Sequence, residues 1–469
     1  MNDTTDYCDL RVEPSKNGSL AWPCMPKLKL RQVGIAQLAL VLSLFTLVVL
    51  IIVTNNRQLL FTVSPYSSFP ARSRFTGFDK ACGVFDEDAI NDDEEFNYEE
   101  IHAKWVAKNV SRENKFHRRL RLHAAYRTRR HYAVQITSLN LFGQQVYCRY
   151  YDCKRNELGK PQKSLVFPET TVYCPKRRGA VYMSLSKTET DNPENAVPLI
   201  DRTMIEPQHF LTVCMAPIYG DEIKWIQIAE FIEHYKLQGA TFFYVYLIEI
   251  DNYSRVILED YERRGEIEIV NMYDGYNRTN RYWHMVQIHD CLQRNRHISK
   301  WTAFVDLDER LFNFGMTIHS FLNNEVKNNT IASVQYRQRW IMKTEDSPAK
   351  FVDEAETIRW MPTVRYTNTS AVGPKGHTAK CIVRPEKIGA MFIHWPFAMY
   401  PGYSQWQIKP EEGVVRHYRD IRSGDWGKKW LGGVAKFGNF SDTFVEESYL
   451  RKLNRAVVDR VSEVYGKVE

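Results

Sequence analysis

Chemistry concentrates in the run Trp301-Thr302-Ala303-Phe304-Val305-Asp306-Leu307-Asp308-Glu309, where an apolar, strand-like stretch ends in three carboxylates. Alternation along an extended backbone puts Asp306 and Asp308 on the same side. Two hard oxygen donors at that spacing suit Mn2+ or Mg2+ holding a diphosphate. Asp308 is the expected direct ligand. Asp306 would bind a ribose, or the metal through water. Glu309 would either support the pair from behind or face solvent beside Arg310. A cation held by so few carboxylates also accepts a neutral imidazole. His417, in Arg416-His417-Tyr418-Arg419, is the first choice, and His394, in Phe392-Ile393-His394-Trp395, the alternative. The guanidinium forks of Arg416 and Arg419 match diphosphate oxygens.

A flat nucleobase needs an apolar or aromatic face with backbone donors near by, and Pro217 and Tyr219, with Asp221, follow a strand-like segment. Trp283, Gln287, Asp290 and Arg294 recur at helical spacing and share one face. Gln287 and Asp290 are polar among core-like neighbours, so they either touch a nucleotide or cap a neighbouring loop. Removing a proton from an attacking hydroxyl calls for a carboxylate. Glu354, Glu356, Glu386, Glu411 and Glu412 are candidates, and spacing does not choose among them. A membrane-anchored hydrolase built on Asp306 and Asp308 fits poorly, because neighbours on one strand cannot flank a scissile bond at hydrolase separation.

The elements that must position these groups read as an α/β domain over residues 207–469, closing with a C-terminal helix. Strands are expected at Phe210–Ile218, Thr241–Ile250, Ile267–Met272 and Trp301–Val305. Helices are expected at Asp221–Leu237, Val256–Arg264 and Trp283–Arg296, with Gly239 and Gly265 as stops. Strand–helix–strand order implies parallel pairing, and ligands of such sheets gather at the carboxyl ends of the strands, where Asp306 and Asp308 lie. Residues 131–206 read instead as short strands, a small β-rich subdomain, and 54–130 as a charged stem.

Val33 to Val53 is an uncharged Leu/Val/Ile-rich run long enough to span a bilayer. Lys27, Lys29 and Arg31 precede it and Arg57 alone follows. The positive-inside rule therefore leaves 1–32 as a cytoplasmic tail, makes 33–53 a signal anchor and sends the rest across the membrane. A lumenal body agrees with the sequons at Asn109, Asn252, Asn277, Asn328, Asn368 and Asn439. It also agrees with Cys82, Cys148, Cys153, Cys174, Cys214, Cys291 and Cys381, which permit up to three disulfides and one remaining thiol. A local bridge among Cys148, Cys153 and Cys174 is preferred over a zinc site, because no Cys-x-x-Cys pair accompanies them. The net charge of +7 is modest, and the basic block Lys104 to Arg130 follows an acidic one, so a nucleic-acid partner is not expected.

Several stretches taken in order resemble glycosyltransferase family 92, which includes animal β-galactosyltransferases. They are Cys214-Met215-Ala216-Pro217 with Asp221-Glu222 and Trp225; Glu233-His234-Tyr235 with Gly239; and Asp290-Cys291. Phe304 through Glu309, Lys380-Cys381-Ile382-Val383-Arg384-Pro385-Glu386 and His417-Tyr418-Arg419 complete the set. Arg310 stands where the family usually has an apolar or aromatic residue. The resemblance implies a GT-A fold, with UDP-galactose as donor, a divalent metal such as Mn2+, and inversion at the anomeric carbon. It further implies a Golgi enzyme acting on a glycan, an N-glycan with core fucose among the options. Trp395, Trp406, Trp426 and Trp430 then offer faces for acceptor sugars. The competing expectation is a catalytically inactive relative that binds glycans or UDP-sugars as a lectin-like or assembly factor.

Overall fold

The computed structural model describes residues 120–138, 141–273, 280–420 and 430–466, with 78–79, 84–85 and 104 besides. The expected tail and anchor, most of the stem, Asn109, Asn277 and Trp426 lie outside these residues. Among the described residues no helix is long and apolar enough to cross a membrane.

After the two-residue strands Phe78–Asp79 and Val84–Phe85, which pair with each other, come seven short strands: β1 (Leu122–Arg127), β2 (Tyr132–Ile136), β3 (Gln145–Tyr151), β4 (Gln162–Leu165), β5 (Thr171–Cys174), β6 (Tyr182–Ser186) and β7 (Val197–Asp201). They form one sheet in the order β4-β3-β6-β7-β1-β2-β5. This β-rich part starts at Leu122 and not at His131. The flanking arginines mask a strand whose Ala124, Ala125 and Tyr126 are buried. Cys148 on β3 is bridged to Cys174 on β5, as the local clustering suggested, and Cys153 is disulfide-bonded as well.

The α/β part follows as β8 (His209–Ile218), α1 (Trp225–Leu237), β9 (Phe242–Leu247), α2 (Asn252–Arg263), β10 (Ile267–Asn271), α3 (Asn280–Asn295) and β11 (Ser299–Val305). These four strands pair in parallel, as strand–helix alternation requires. Helix α1 begins later than Asp221 because Gly220 takes a left-handed φ of +75° and Lys224 Nζ bonds back to the Gly220 and Glu222 carbonyls. Helix α2 begins earlier than Val256, since the Asp251 side chain accepts from the Ser254 N–H at 2.7 Å and caps it. Gly239, at φ +97°, ends α1 where a Cβ would run into His319.

Beyond β11 the chain forms β12 (Glu309–Asn313), β13 (Ile331–Tyr336), β14 (Gln338–Lys343), β15 (Asn368–Thr369), β16 (Lys380–Val383), β17 (Ile388–Met391) and β18 (Pro396–Met399). It continues as β19 (Ser404–Gln407), β20 (Gly413–Asp420), β21 (Ser441–Asp442) and the C-terminal helix α4 (Glu447–Tyr465). A mixed seven-stranded sheet has the order β10-β9-β8-β11-β16-β13-β19, and a five-stranded sheet the order β12-β20-β14-β15-β21. One core joins the larger sheet to α1, α2 and α4 through Val213, Met215, Ile228, Phe231, Ile257, Leu453 and Val457. The opposite face packs on α3 through Phe304, Val286, Ile288 and Leu292, and Cys214 of β8 is bridged to Cys291 of α3. The β-rich sheet docks on this second face. Tyr126 donates to Asp290 at 2.6 Å, Thr170 meets His289 at 2.7 Å, and Tyr173 donates to the Gly389 carbonyl at 2.7 Å.

Candidate active site

The acidic turn 306–308 is where the chain leaves one sheet for the other. Strand β11 ends at Val305 in the larger sheet, and β12 begins at Glu309 in the smaller one, with Glu309 directly opposite His417 of β20. The turn is closed by the Glu309 N–H donating to the Asp306 carbonyl, and the Tyr418 N–H donates to the Asp308 carbonyl.

Four groups converge on the two aspartates. Lys380, 1 % exposed, places its ammonium 2.7 Å from Asp306 Oδ1 and 3.1 Å from Glu309 Oε2. His284 of α3 stands 3.8 Å from Asp306. His417 Nε2 lies 3.1 Å from Asp308 Oδ2, its Nδ1 is 3.3 Å from Glu309, and its ring stacks on Trp340. Arg419, on the same face of β20 as His417, comes within 3.6 Å of Asp308. Glu309 is fully buried and accepts from the Asp306 N–H, Gln338 Nε2 and Lys380. It supports the turn from behind, and Arg310 points the other way, into a buried pair with Glu230.

The electrostatics follow from this packing. Burial alone would raise the Asp306 carboxyl, but Lys380 and His284 hold it below the ordinary range. Burial is likewise outweighed at Asp308, where His417 and Arg419 hold the carboxyl well below that range. Glu309 is pushed up to about 7 by burial and by Asp306 beside it. Burial opposes charge on Lys380 and His417, yet the carboxylates around each raise both above their usual values. His394 is held at about 4 by burial and by Lys380, with Asp306 also among its electrostatic neighbours. Its Nδ1 meets the Ala379 carbonyl at 3.2 Å, so Nδ1 carries the proton and Nε2 keeps a lone pair.

Donor chemistry fits a divalent cation. Asp308 and His417 form an adjacent carboxylate–imidazole pair, and both aspartates keep over a quarter of their side chains exposed. Among the described residues no three-ligand cluster is assembled in advance. A cation held by this pair would need further oxygen ligands from outside the protein.

The remaining expected residues divide. Tyr219, 46 % exposed, has Arg419, Asp308 and Asp306 among its electrostatic neighbours, so it faces the turn from the end of β8, next to buried Pro217; Asp221 is exposed in the following loop. Gln287 is buried on α3 between His284 and Cys291, and its amide has no hydrogen-bond partner among the described residues. Asp290 is a correction. Tyr126, Tyr246 and Arg294 all bind its carboxylate, so it anchors the β-rich sheet. Arg416 is another, for strand alternation turns it away from His417 and it bonds Thr443 and Tyr418. Glu386 follows β16 at the end remote from Lys380, beside His297 and Lys387. Glu411 and Glu412 sit before Gly413, which pairs with Asn313, roughly 16 Å along β20 from His417. Glu356 is engaged by Trp360 and Arg359. Trp406 packs on Phe321 and Trp430 on Trp340, leaving Trp395 partly exposed. Asn252, Asn328, Asn368 and Asn439 are exposed. Lys380 and His284 were missed as site groups. Only the position of Lys380 inside a matching motif, and of His284 one residue past Trp283, pointed at them.

Residues 209–453 match the family model described as Glycosyltransferase family 92, just over half of the chain, and the chain belongs to that family. It is 25 % identical to Beta-1,4-galactosyltransferase galt-1 of Caenorhabditis elegans, over 41 % of this chain and 45 % of that protein. A second glycosyltransferase family 92 protein of the same organism is 20 % identical over 57 % of this chain and 50 % of that protein. The chain thus spans about half the length of the curated relatives it matches. Among solved structures, S. aureus TarS 1-349 in complex with UDP-GlcNAc is 11 % identical, covering 55 % of this chain and 76 % of that one, with a TM-score of 0.26. At that score the likeness says nothing about the ligands of this chain.

Proposed function

We propose that this protein is a metal-dependent, inverting glycosyltransferase of the GT-A type that moves galactose from UDP-galactose in β linkage to a glycan. The acceptor in this reading is an N-glycan, with its core fucose as the site of attachment. The setting is the Golgi, with residues 33–53 as a type II anchor and the body lumenal. The observation that carries the reading is the convergence of His417 and Arg419 on Asp308, beside Asp306, at the carboxyl ends of parallel strands.

A bound Mn2+ supplies Lewis-acid stabilisation for the charge that develops on the departing diphosphate. Asp308 and His417 would hold it, with Asp306 in the same turn. Arg419 offers its guanidinium to phosphate oxygens on that side. Tyr219 and Pro217 border the place for the uracil, and the unpartnered amide of Gln287 lies one helical turn from the Cys214–Cys291 bridge beneath it. Lys380 and Glu309 keep the turn in shape before anything binds.

The test is a donor screen on the full-length protein in detergent, comparing UDP-sugars with and without Mn2+, alongside Asp308→Ala. UDP-galactose turnover that stops on chelation and in the variant is expected. Turnover that survives both overturns the reading. One observation favours a second reading, the inactive glycan- or UDP-sugar-binding relative. Glu386, Glu411 and Glu412, expected as bases, all lie away from the acidic turn. UDP binding without turnover on any glycan would select it.

A further inference from the structure

Across the acidic turn from Tyr219 lies an open cleft of about 370 Å3, lined by Gln335, Lys375, Gly376, Trp395 and Gln405. Its size falls within the range of roughly 300–1,000 Å3 usual for small-molecule sites. Sheet order sets its position. Tyr219 follows β8, on one side of β11, whereas Gln335 on β13 and Gln405 on β19 lie on the other side, beyond β16. Ser333 pairs with Gln405 and Gln335 with Gln407, so these glutamines share one face at the sheet's edge.

The lining is held in place from several directions. Gln335 Nε2 donates to the His394 carbonyl at 3.3 Å, and its Oε1 accepts from Gln407 Nε2 at 2.9 Å. Trp395 sits between β17 and β18, its indole 5.4 Å from the Phe392 ring, and 36 % of it is exposed. Gly376, at φ +75°, has nothing within 4 Å of where a Cβ would stand, so its part of the lining is open. The cleft adjoins the chemistry directly. His394, next to Trp395, donates to the Ala379 carbonyl, and Lys380, next to Ala379, holds Asp306.

An aromatic face, carboxamides that donate and accept, an ammonium, and no lining carboxylate among the described residues together complement an uncharged ring bearing hydroxyl groups. We propose that this cleft is the acceptor subsite, in which one hexopyranose ring of the glycan lies on Trp395 while Gln405 and Lys375 bind its hydroxyls and buried Gln335 holds the floor in place. This rests on the transferase reading for its role, though not for its chemistry.

The test measures two quantities on the full-length protein and on Trp395→Ala, Trp395→Phe and Gln405→Ala. One is the rate against acceptor concentration at saturating UDP-galactose, with acceptor-independent hydrolysis of UDP-galactose recorded beside it. The other is saturation-transfer NMR with a core-fucosylated N-glycan, without donor or metal. Trp395→Ala should raise the acceptor KM about tenfold and Trp395→Phe should restore most of it, with hydrolysis within about twofold of wild type. A normal acceptor KM in Trp395→Ala and Gln405→Ala, with wild-type turnover intact, overturns the subsite and leaves the transferase reading standing. Glycan binding that Trp395→Ala abolishes, in a protein without turnover, supports the subsite and removes the transferase reading. A wild-type protein that neither binds the glycan nor turns over overturns both.

Discussion

Replacing Lys380 by methionine keeps most of the side chain's volume and removes only the ammonium. In the folded protein that ammonium lies between Asp306 at 2.7 Å and Glu309 at 3.1 Å, with 1 % of the lysine side chain exposed. Removing one partner of a buried pair costs about 3–5 kcal/mol, because the other charge stays behind without compensation. The lower end applies here. Asp306 keeps 30 % of its side chain exposed, so water can take over at that oxygen, whereas Glu309 has no exposure at all. Lys380→Met should therefore lose about 3 kcal/mol, read as a shift of the urea midpoint at unchanged slope. Glu309 is already pushed up to about 7 with the ammonium present, so the loss should be largest at alkaline pH, where its carboxylate is charged, and adding Glu309→Gln should return about 2 kcal/mol of it there. Mn2+ should raise the midpoint more in Lys380→Met than in wild type, since a dication beside Asp306 replaces the missing charge. A single variant within about 1 kcal/mol of wild type, or a double variant whose losses simply add, would refute the claim that Lys380 neutralises this turn.

Three further outcomes are expected. Arg419→Ala should raise the KM for the nucleotide-sugar about tenfold with little effect on the urea midpoint, while Arg416→Ala should do the reverse and lose about 2 kcal/mol, since its bonds run to Thr443 and Tyr418. His289 is buried and held at about 4, against an ordinary 6.5, so the unfolded chain takes up its proton first as the pH falls. His289 should accordingly contribute about 3 kcal/mol of stability that is full above pH 6.5 and lost on titration down to about 4, a share of the acid loss that His289→Asn should remove while His284 and His394 keep theirs. The paired substitution Cys214→Ala/Cys291→Ala opens a link spanning 77 residues and should cost about 4 kcal/mol, measured as the urea midpoint against wild type.

The parallel strands and the acidic turn were legible because each follows from local pattern: buried runs between glycine stops, then carboxylates at a strand end. Ends of helices were less so. Asp251 as a cap is visible in the sequence, but the loop that delays α1 depends on Lys224 folding back on carbonyls, which no periodicity encodes. Arg416 and Arg419 were equivalent as residue types. Strand parity decided between them, and parity becomes usable only once His417 is known to face Asp308. Asp290 was misread because a buried carboxylate on a helix face looks the same whether its partners are a ligand or two tyrosines from distant strands, 44 and 164 residues away. The bridge between Cys214 and Cys291 joins two matching fragments whose spacing carried no hint that they touch.

The two aspartates answer to different sheets. Asp306 is moored by Lys380 to the larger one, and Asp308 by His417 and the Tyr418 amide to the smaller. Anything that grips both acids at once therefore adds a second tie between two separately hydrogen-bonded plates, which Lys380 already joins by reaching Glu309 as well as Asp306.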